Sequence, residues 1–125
     1  MFFKPVLAGV LGLVFICPAW AEDIPTAMAV LQGLDKVTAR VKTFEAPVNS
    51  SARFGTLSII VRACYTHPPE ETPENTAFLE ITDLRNGEAP VEVFRGWMFS
   101  SSPALSAVEH PVYDVWVLEC RAPKN

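Results

Sequence analysis

FGTLSIIVRACYTH, residues 54–67, decides the fold. Leu57, Ile59, Val61, Ala63 and Tyr65 alternate with Ser58, Ile60, Arg62, Cys64 and Thr66, and the density of β-branched residues makes this the strongest strand signal in the chain. Upstream, Val37, Ala39, Val41 and Thr43 alternate with Thr38, Arg40, Lys42 and Phe44, which predicts a first strand from Leu34, with a turn over 47–51. Downstream, HPPEETPEN (67–75) carries three prolines and must be a loop. AFLEITDL (77–84) and VEVFRGWMF (91–99) read as strands joined by an Asn86-Gly87 turn, and VYDVWVLEC (112–120) reads as the last strand. Between the last two, Ser101 or Ser102 caps a short helix with Pro103 in its first position, running until Pro111 forbids continuation. About five strands and one short helix predict an all-β fold, a small single-domain barrel or sandwich spanning 34–125, preceded by a flexible lead-in over 22–33.

The N-terminus carries Lys4, an apolar run from Val6 to Ile16 too short to span a bilayer, and Ala19-Trp20-Ala21. These predict a signal peptide over 1–21 cleaved before Glu22, and so a periplasmic protein. The alternatives are acylation at Cys17, which has the large Ile16 before it, and an uncleaved anchor. Without 1–21 the chain keeps Cys64 and Cys120, which in an oxidising compartment most simply form one disulfide closing a loop of more than fifty residues. Two free thiols for redox work would want a CxxC spacing, which is lacking. On strict alternation Cys120 shares a face with Trp116 and Leu118, and Cys64 with Ile60, so both sulfurs can face the core. Nine basic residues stand against fourteen acidic ones after Lys4 is removed, and the basic residues are scattered, which excludes nucleic acid as a partner. No second apolar run is long enough for a membrane span in the mature chain.

LDKVTARVKTFEAPV, FGTLSIIVRACYTHPPEETPENTAFLEI and FRGWMFSSSPALSAVEHPVYDVWVLEC together resemble the domain-of-unknown-function family numbered 2155, small exported proteins of proteobacteria, over residues 34–120. The resemblance implies export, an envelope location and the Cys64–Cys120 pairing, and it assigns no catalytic residues. The family pattern often has Ala at the position of Ser100 and Asn at that of Ser106, which argues against an essential role for either serine.

Chemistry has weak candidates. Ser101 or Ser102, His110 and Asp114 supply the residue types of a hydrolase, but the serines sit where a helix cap belongs, Asp114 is expected to point inward, and there is no Gly-x-Ser-x-Gly elbow. His110 is then expected to end the helix and complement its dipole. Glu80 with Glu109 could be nominated as a glycosidase pair, with nothing to fix their separation. His67 and His110 each lie beside a proline and form no zinc run, and Glu70, Glu71 and Glu74 lack the pattern of a calcium loop, so no metal or cofactor is expected. Binding has a better candidate. Trp97, Met98 and Phe99 are consecutive on one strand, so either Trp97 and Phe99 are buried with Met98 exposed, or the reverse, and Gly96 before them permits a bulge. A binding surface of Trp97, Met98, Phe99, His110 and Asp114 would suit an envelope protein or glycan. The competing readings are a lid that merely closes the barrel, and a hydrolase of envelope polymers using His110 with Asp114 or Glu109.

Overall fold

In a computed structural model, which describes residues 22–105 and 107–123, the chain is all-β. The expected signal segment 1–21 and Ser106 lie outside the described residues. The strands are β1 (Ile24–Pro25), β2 (Met28–Asp35), β3 (Arg40–Pro47), β4 (Ser51–Phe54), β5 (Leu57–Thr66), β6 (Asn75–Asp83), β7 (Val91–Phe99) and β8 (Tyr113–Arg121). One antiparallel sheet runs β1-β5-β6-β7, with β4 paired to β5, and the other runs β3-β2-β8.

The two sheets pack face to face because each presents an apolar inner row. Leu57, Ile59 and Val61 of β5, Ala77, Leu79 and Ile81 of β6, and Met98 of β7 meet Ala29 and Leu31 of β2, Ala46 of β3, and Val115 and Val117 of β8. Each of the large aliphatic side chains, fully buried, contributes roughly 1.5–3 kcal/mol. The fold is a β-sandwich, with Cys64 of β5 bonded to Cys120 of β8 across the two sheets at a Cα separation of 5.6 Å.

The cysteines reach the core by a route that strict alternation misses. In β5 the row Leu57, Ile59, Val61 would continue to Ala63 and leave Cys64 outside. The pairing instead steps from Val61↔Leu79 to Ala63↔Phe78, so Arg62 is an extra residue, a bulge that turns Cys64 inward. In β8 the step from Val117↔Leu31 to Glu119↔Val30 makes Leu118 the extra residue, and Cys120 follows Val115 and Val117 to the inside. Trp116 and Leu118, expected beside Cys120, therefore face away from it. One bulge in each sheet sets up the bridge.

Three further expectations are corrected. Residues 22–33 are not a flexible lead-in: they hold β1 and most of β2, the central strand of its sheet, with Ala29, Val30 and Leu31 buried. Its inward residues Ala29, Leu31 and Gly33 do alternate with Val30, Gln32 and Leu34, but apolar Val30 and Leu34 on the outward phase blur the period, which hid it. The first strand does not run unbroken through 34–44, because Asp35 Oδ1 accepts the amides of Val37 (2.9 Å) and Thr38 (3.2 Å), closing a turn in which Ala39 has φ 59°. Val37 is left 76% exposed. The expected helix is only a 3-10 turn, Pro103–Leu105. Beyond it the chain runs along β7, Glu109 N–H donating to Val93 O (3.3 Å) and Val108 buried in the gap between the sheets, a backbone role incompatible with continuing the helix.

Candidate functional site

β6 carries Ala77, Leu79 and Ile81 inward, and the same phase carries Asp83, a carboxylate 2% exposed at the end of the sandwich. A buried charge must be met by donors, and three elements supply them. Thr56, in the β4–β5 turn, donates its hydroxyl to Oδ1 (2.6 Å), Arg85 Nε lies 3.4 Å from Oδ2, and His110 Nε2 lies 2.8 Å from Oδ2. The other ring nitrogen of His110, Nδ1, accepts the amides of Val112 (3.0 Å) and Tyr113 (3.1 Å). An acceptor at Nδ1 assigns the proton to Nε2, so His110 donates to Asp83. The ring also lies against Tyr113, centroids 5.1 Å apart. Burial pushes the Asp83 carboxyl up, but the hydrogen bonds from Thr56 and His110, with the Arg85 charge nearby, outweigh it and hold the group below the usual carboxylate range.

This arrangement fixes a loop and leaves no ring nitrogen open to a substrate. Asp114, the expected partner of His110, sits on the outward face of β8 and accepts the amide of Val115 (3.0 Å). It does not point inward as expected, because the inward residues of β8 are Val115 and Val117. His110 likewise ends no helix: it begins the turn into β8. The serines lie at the opposite end of β7, where Ser100 and Ser101 donate through their hydroxyls to Glu74, and Ser100 Oγ accepts the Asn75 amide at 3.0 Å. Asn75 Oδ1 in turn accepts the Cys120 amide (3.0 Å), so this cluster clasps β6, β7 and β8 together. Burial pushes the Glu74 carboxyl up, but the bonds from Ser101, Ser100 and Asn75 bring it below its ordinary value.

Asp83 and His110 form the floor of a cleft of about 460 Å³, walled by Val91, Val93 and Tyr113 and rimmed by Arg85 and Glu109. Glu80, nominated with Glu109, is not in this cleft: it lies on the outer sheet face, bonded to Arg62 (3.3 Å) and Arg95 (3.1 Å). Among the described residues no group of three or more His, Cys, Asp or Glu side chains is placed to hold a metal ion. Glu74 turns to the serines, while Glu71 lies 3.9 Å from His67, whose Nδ1 bonds the Thr72 carbonyl (2.8 Å).

The consecutive trio on β7 resolves as one inward and two outward residues. Met98 is 1% exposed in the core, Trp97 is 43% exposed, and Phe99 is half-buried. Trp97 sits edge-on to Phe78 (5.3 Å, 77°) and tilted to Tyr65 (6.2 Å, 35°), so an aromatic row crosses β5, β6 and β7 on the outer face. Beside it runs a charged row in which Arg95 bridges Glu80 and Glu92. The bulge in β7 falls at Val93, not Gly96.

Asp83, Thr56 and Arg85 were missed from the sequence, yet one signal pointed to the first. In AFLEITDL an Asp in phase with Ala77, Leu79 and Ile81 must be buried, and a buried Asp needs partners.

A family model described as "Uncharacterized protein conserved in bacteria (DUF2155)" matches residues 29–120. The chain is also similar to "Uncharacterized protein RP359" of Rickettsia prowazekii (strain Madrid E), 31% identical over 87 residues, covering 70% of this chain and 56% of that protein. The chain thus spans about half the length of this curated relative. No solved structure matches it.

Proposed function

The chain belongs to the DUF2155 family, and from that premise we propose that it is an exported, non-enzymatic binding module of the cell envelope that docks a periplasmic or outer-membrane protein on the aromatic row of its outer sheet face. The observation that carries this reading is Trp97, 43% exposed in mid-strand beside Phe78 and Tyr65 and next to the Arg95 charge row. Trp, Tyr and Arg clustered on an exposed sheet face are the residue types that dominate interface energetics. The partner that fits is a protein surface offering an apolar side chain flanked by charges of both signs. The disulfide between the sheets supports an oxidising compartment. The engaged state of both His110 nitrogens counts against the hydrolase alternative.

The test places a benzophenone-bearing phenylalanine at Phe99, which shares the outward face with Trp97, and irradiates living cells. One reproducible protein adduct, lost on Trp97→Ala in a chain that keeps its disulfide and circular dichroism, supports the reading. An adduct that survives Trp97→Ala overturns it, as does retention by an envelope glycan column with no protein adduct.

A further inference from the structure

Strand β3 carries a second feature at the same end of the sandwich, on the other side of Tyr113 from the Asp83 cleft. Its inward residues are Ala46, in the core, and Phe44, stacked on Phe54 with centroids 5.8 Å apart. Two and four residues earlier the same phase carries Lys42 and Arg40, so two cations occupy the inner face of the strand where the sheets part. They line a cleft of about 190 Å³, room for about six waters, whose floor is Phe54, Gly55 and Tyr113.

These cations have no carboxylate within ion-pair distance among the described residues. Arg62, Arg85, Arg95 and Arg121 each have a carboxylate within ion-pair distance. Among the described residues Lys36, Arg40, Lys42 and Arg53 have no such partner, Lys36 Nζ donating instead to the His110 carbonyl (3.1 Å), although the chain as a whole has more acids than bases. Asp35 lines the cleft and faces Arg40 in register, but its Oδ1 is occupied by the amides of Val37 and Thr38. Inward-pointing charge on an edge strand also discourages edge-to-edge pairing, yet that role needs no aromatic floor.

We propose that this cleft binds a phosphate group carried on a small ring-bearing or apolar moiety. Lys42 and Arg40, about 6.6 Å apart along the strand, converge on the phosphate oxygens, the guanidinium offering a two-pronged donor set and the ammonium a point charge. The moiety that carries the phosphate lies on the Phe54 and Tyr113 rings. Gly55 is required there for space, since a Cβ at that position would come within 2.3 Å of the Tyr113 ring. Two sources present this chemistry, a soluble phosphate ester and the headgroup region of an anionic lipid.

The experiment titrates the disulfide-bonded protein with phenyl phosphate and with phenol, following backbone amides by ¹H–¹⁵N NMR, and measures co-sedimentation with phosphatidylglycerol and phosphatidylcholine vesicles. The expected result is a saturable shift of the Lys42, Gly55 and Tyr113 amides with phenyl phosphate and not with phenol. That affinity is expected to weaken at least about tenfold in Arg40→Gln/Lys42→Gln and to survive Lys42→Arg. Sedimentation with phosphatidylglycerol alone, lost in the double variant, identifies a lipid source, and its absence alongside phenyl phosphate binding identifies a soluble one. Equal shifts with phenol, no saturable shift, or shifts that persist in the double variant overturn the proposal. If the double variant does not fold, Lys42→Gln alone carries the comparison with Lys42→Arg.

Discussion

Asp83→Ala is the perturbation that most directly tests the account of the cleft floor. The carboxylate is buried and accepts bonds from the Thr56 hydroxyl and from His110 Nε2–H, with Arg85 at 3.4 Å. Its removal leaves the His110 N–H and the Thr56 hydroxyl without acceptors. Each buried unsatisfied donor costs about 1–3 kcal/mol, with bonds to a charged acceptor at the upper end. The Arg85 contact adds little, because that side chain is half in water. The expected loss is about 3–5 kcal/mol, a large fraction of the roughly 5–15 kcal/mol available to a domain of this size. Urea denaturation of the oxidised protein at pH 7, followed by tryptophan fluorescence and circular dichroism, measures it. His110→Ala is expected to cost a comparable amount, and the double variant less than the sum by about 1–3 kcal/mol, since neither partner is then stranded. The pH dependence has a definite sign. Asp83 is held below its ordinary carboxyl value when folded, so its contribution is present above that ordinary value and is lost as pH falls from it through the folded value. The gap between wild type and Asp83→Asn therefore closes in acid. A loss below about 1 kcal/mol at pH 7, or a gap that widens in acid, would refute the reasoning.

The remaining expectations concern the bridge, the turn and the clasp. Replacing Cys64 and Cys120 together by Ala opens a loop of sequence separation 56 and is expected to cost about 4 kcal/mol on chain-entropy grounds, read as a shift in the urea midpoint. Gly55→Ala places a methyl group within 2.3 Å of the Tyr113 ring at a φ of +59°. It is expected to lower the melting temperature by several degrees, reflecting at least about 1 kcal/mol, whereas Gly87→Ala, with φ +74° but open space around it, should cost less. Glu74→Gln weakens the bonds from Ser100, Ser101 and Asn75 that hold the Glu74 carboxyl low, and its deficit relative to wild type should likewise shrink as the solution is acidified.

The all-β fold was legible because β5, β6 and β7 are half-buried or core strands whose composition and turns announce themselves. What escaped was what departs from a strict period of two. β2 is apolar on successive positions, Ala29-Val30-Leu31, with Val30 on the outward phase between two core residues, and a run without clear alternation ending in Gln32-Gly33 reads as a linker. Gly33 has its own physical reason: a Cβ there would lie 2.7 Å from the Phe54 ring. The bulges at Arg62 and Leu118 were equally hidden, since each depends on pairing with another strand and neither residue type marks it. The disulfide was foreseen from the count of cysteines, while the phase argument offered for it placed Cys120 with Trp116 and Leu118, the wrong face of β8.

The same division governs the site. His110 was nominated as a binding residue or as the end of a helix, and its partner was sought nearby in the chain at Asp114, four residues on, whereas it bonds Asp83, 27 residues earlier. A sandwich makes this the expected kind of error. Residues adjacent in a strand point to opposite faces, whereas the end of one sheet and the loop entering the other are brought together only by closure of the fold. Asp83 could have been found by asking which polar residue continues an apolar inward row, and the identical question asked of β3 finds Lys42 and Arg40 continuing the row of Ala46 and Phe44. The two breaks in pattern differ in one respect that separates scaffold from surface. Asp83 has three protein partners and closes its part of the sandwich end on itself, while Arg40 and Lys42, at the same end beyond Tyr113, have no ion-pair partner among the described residues and leave the β3 edge charged and open.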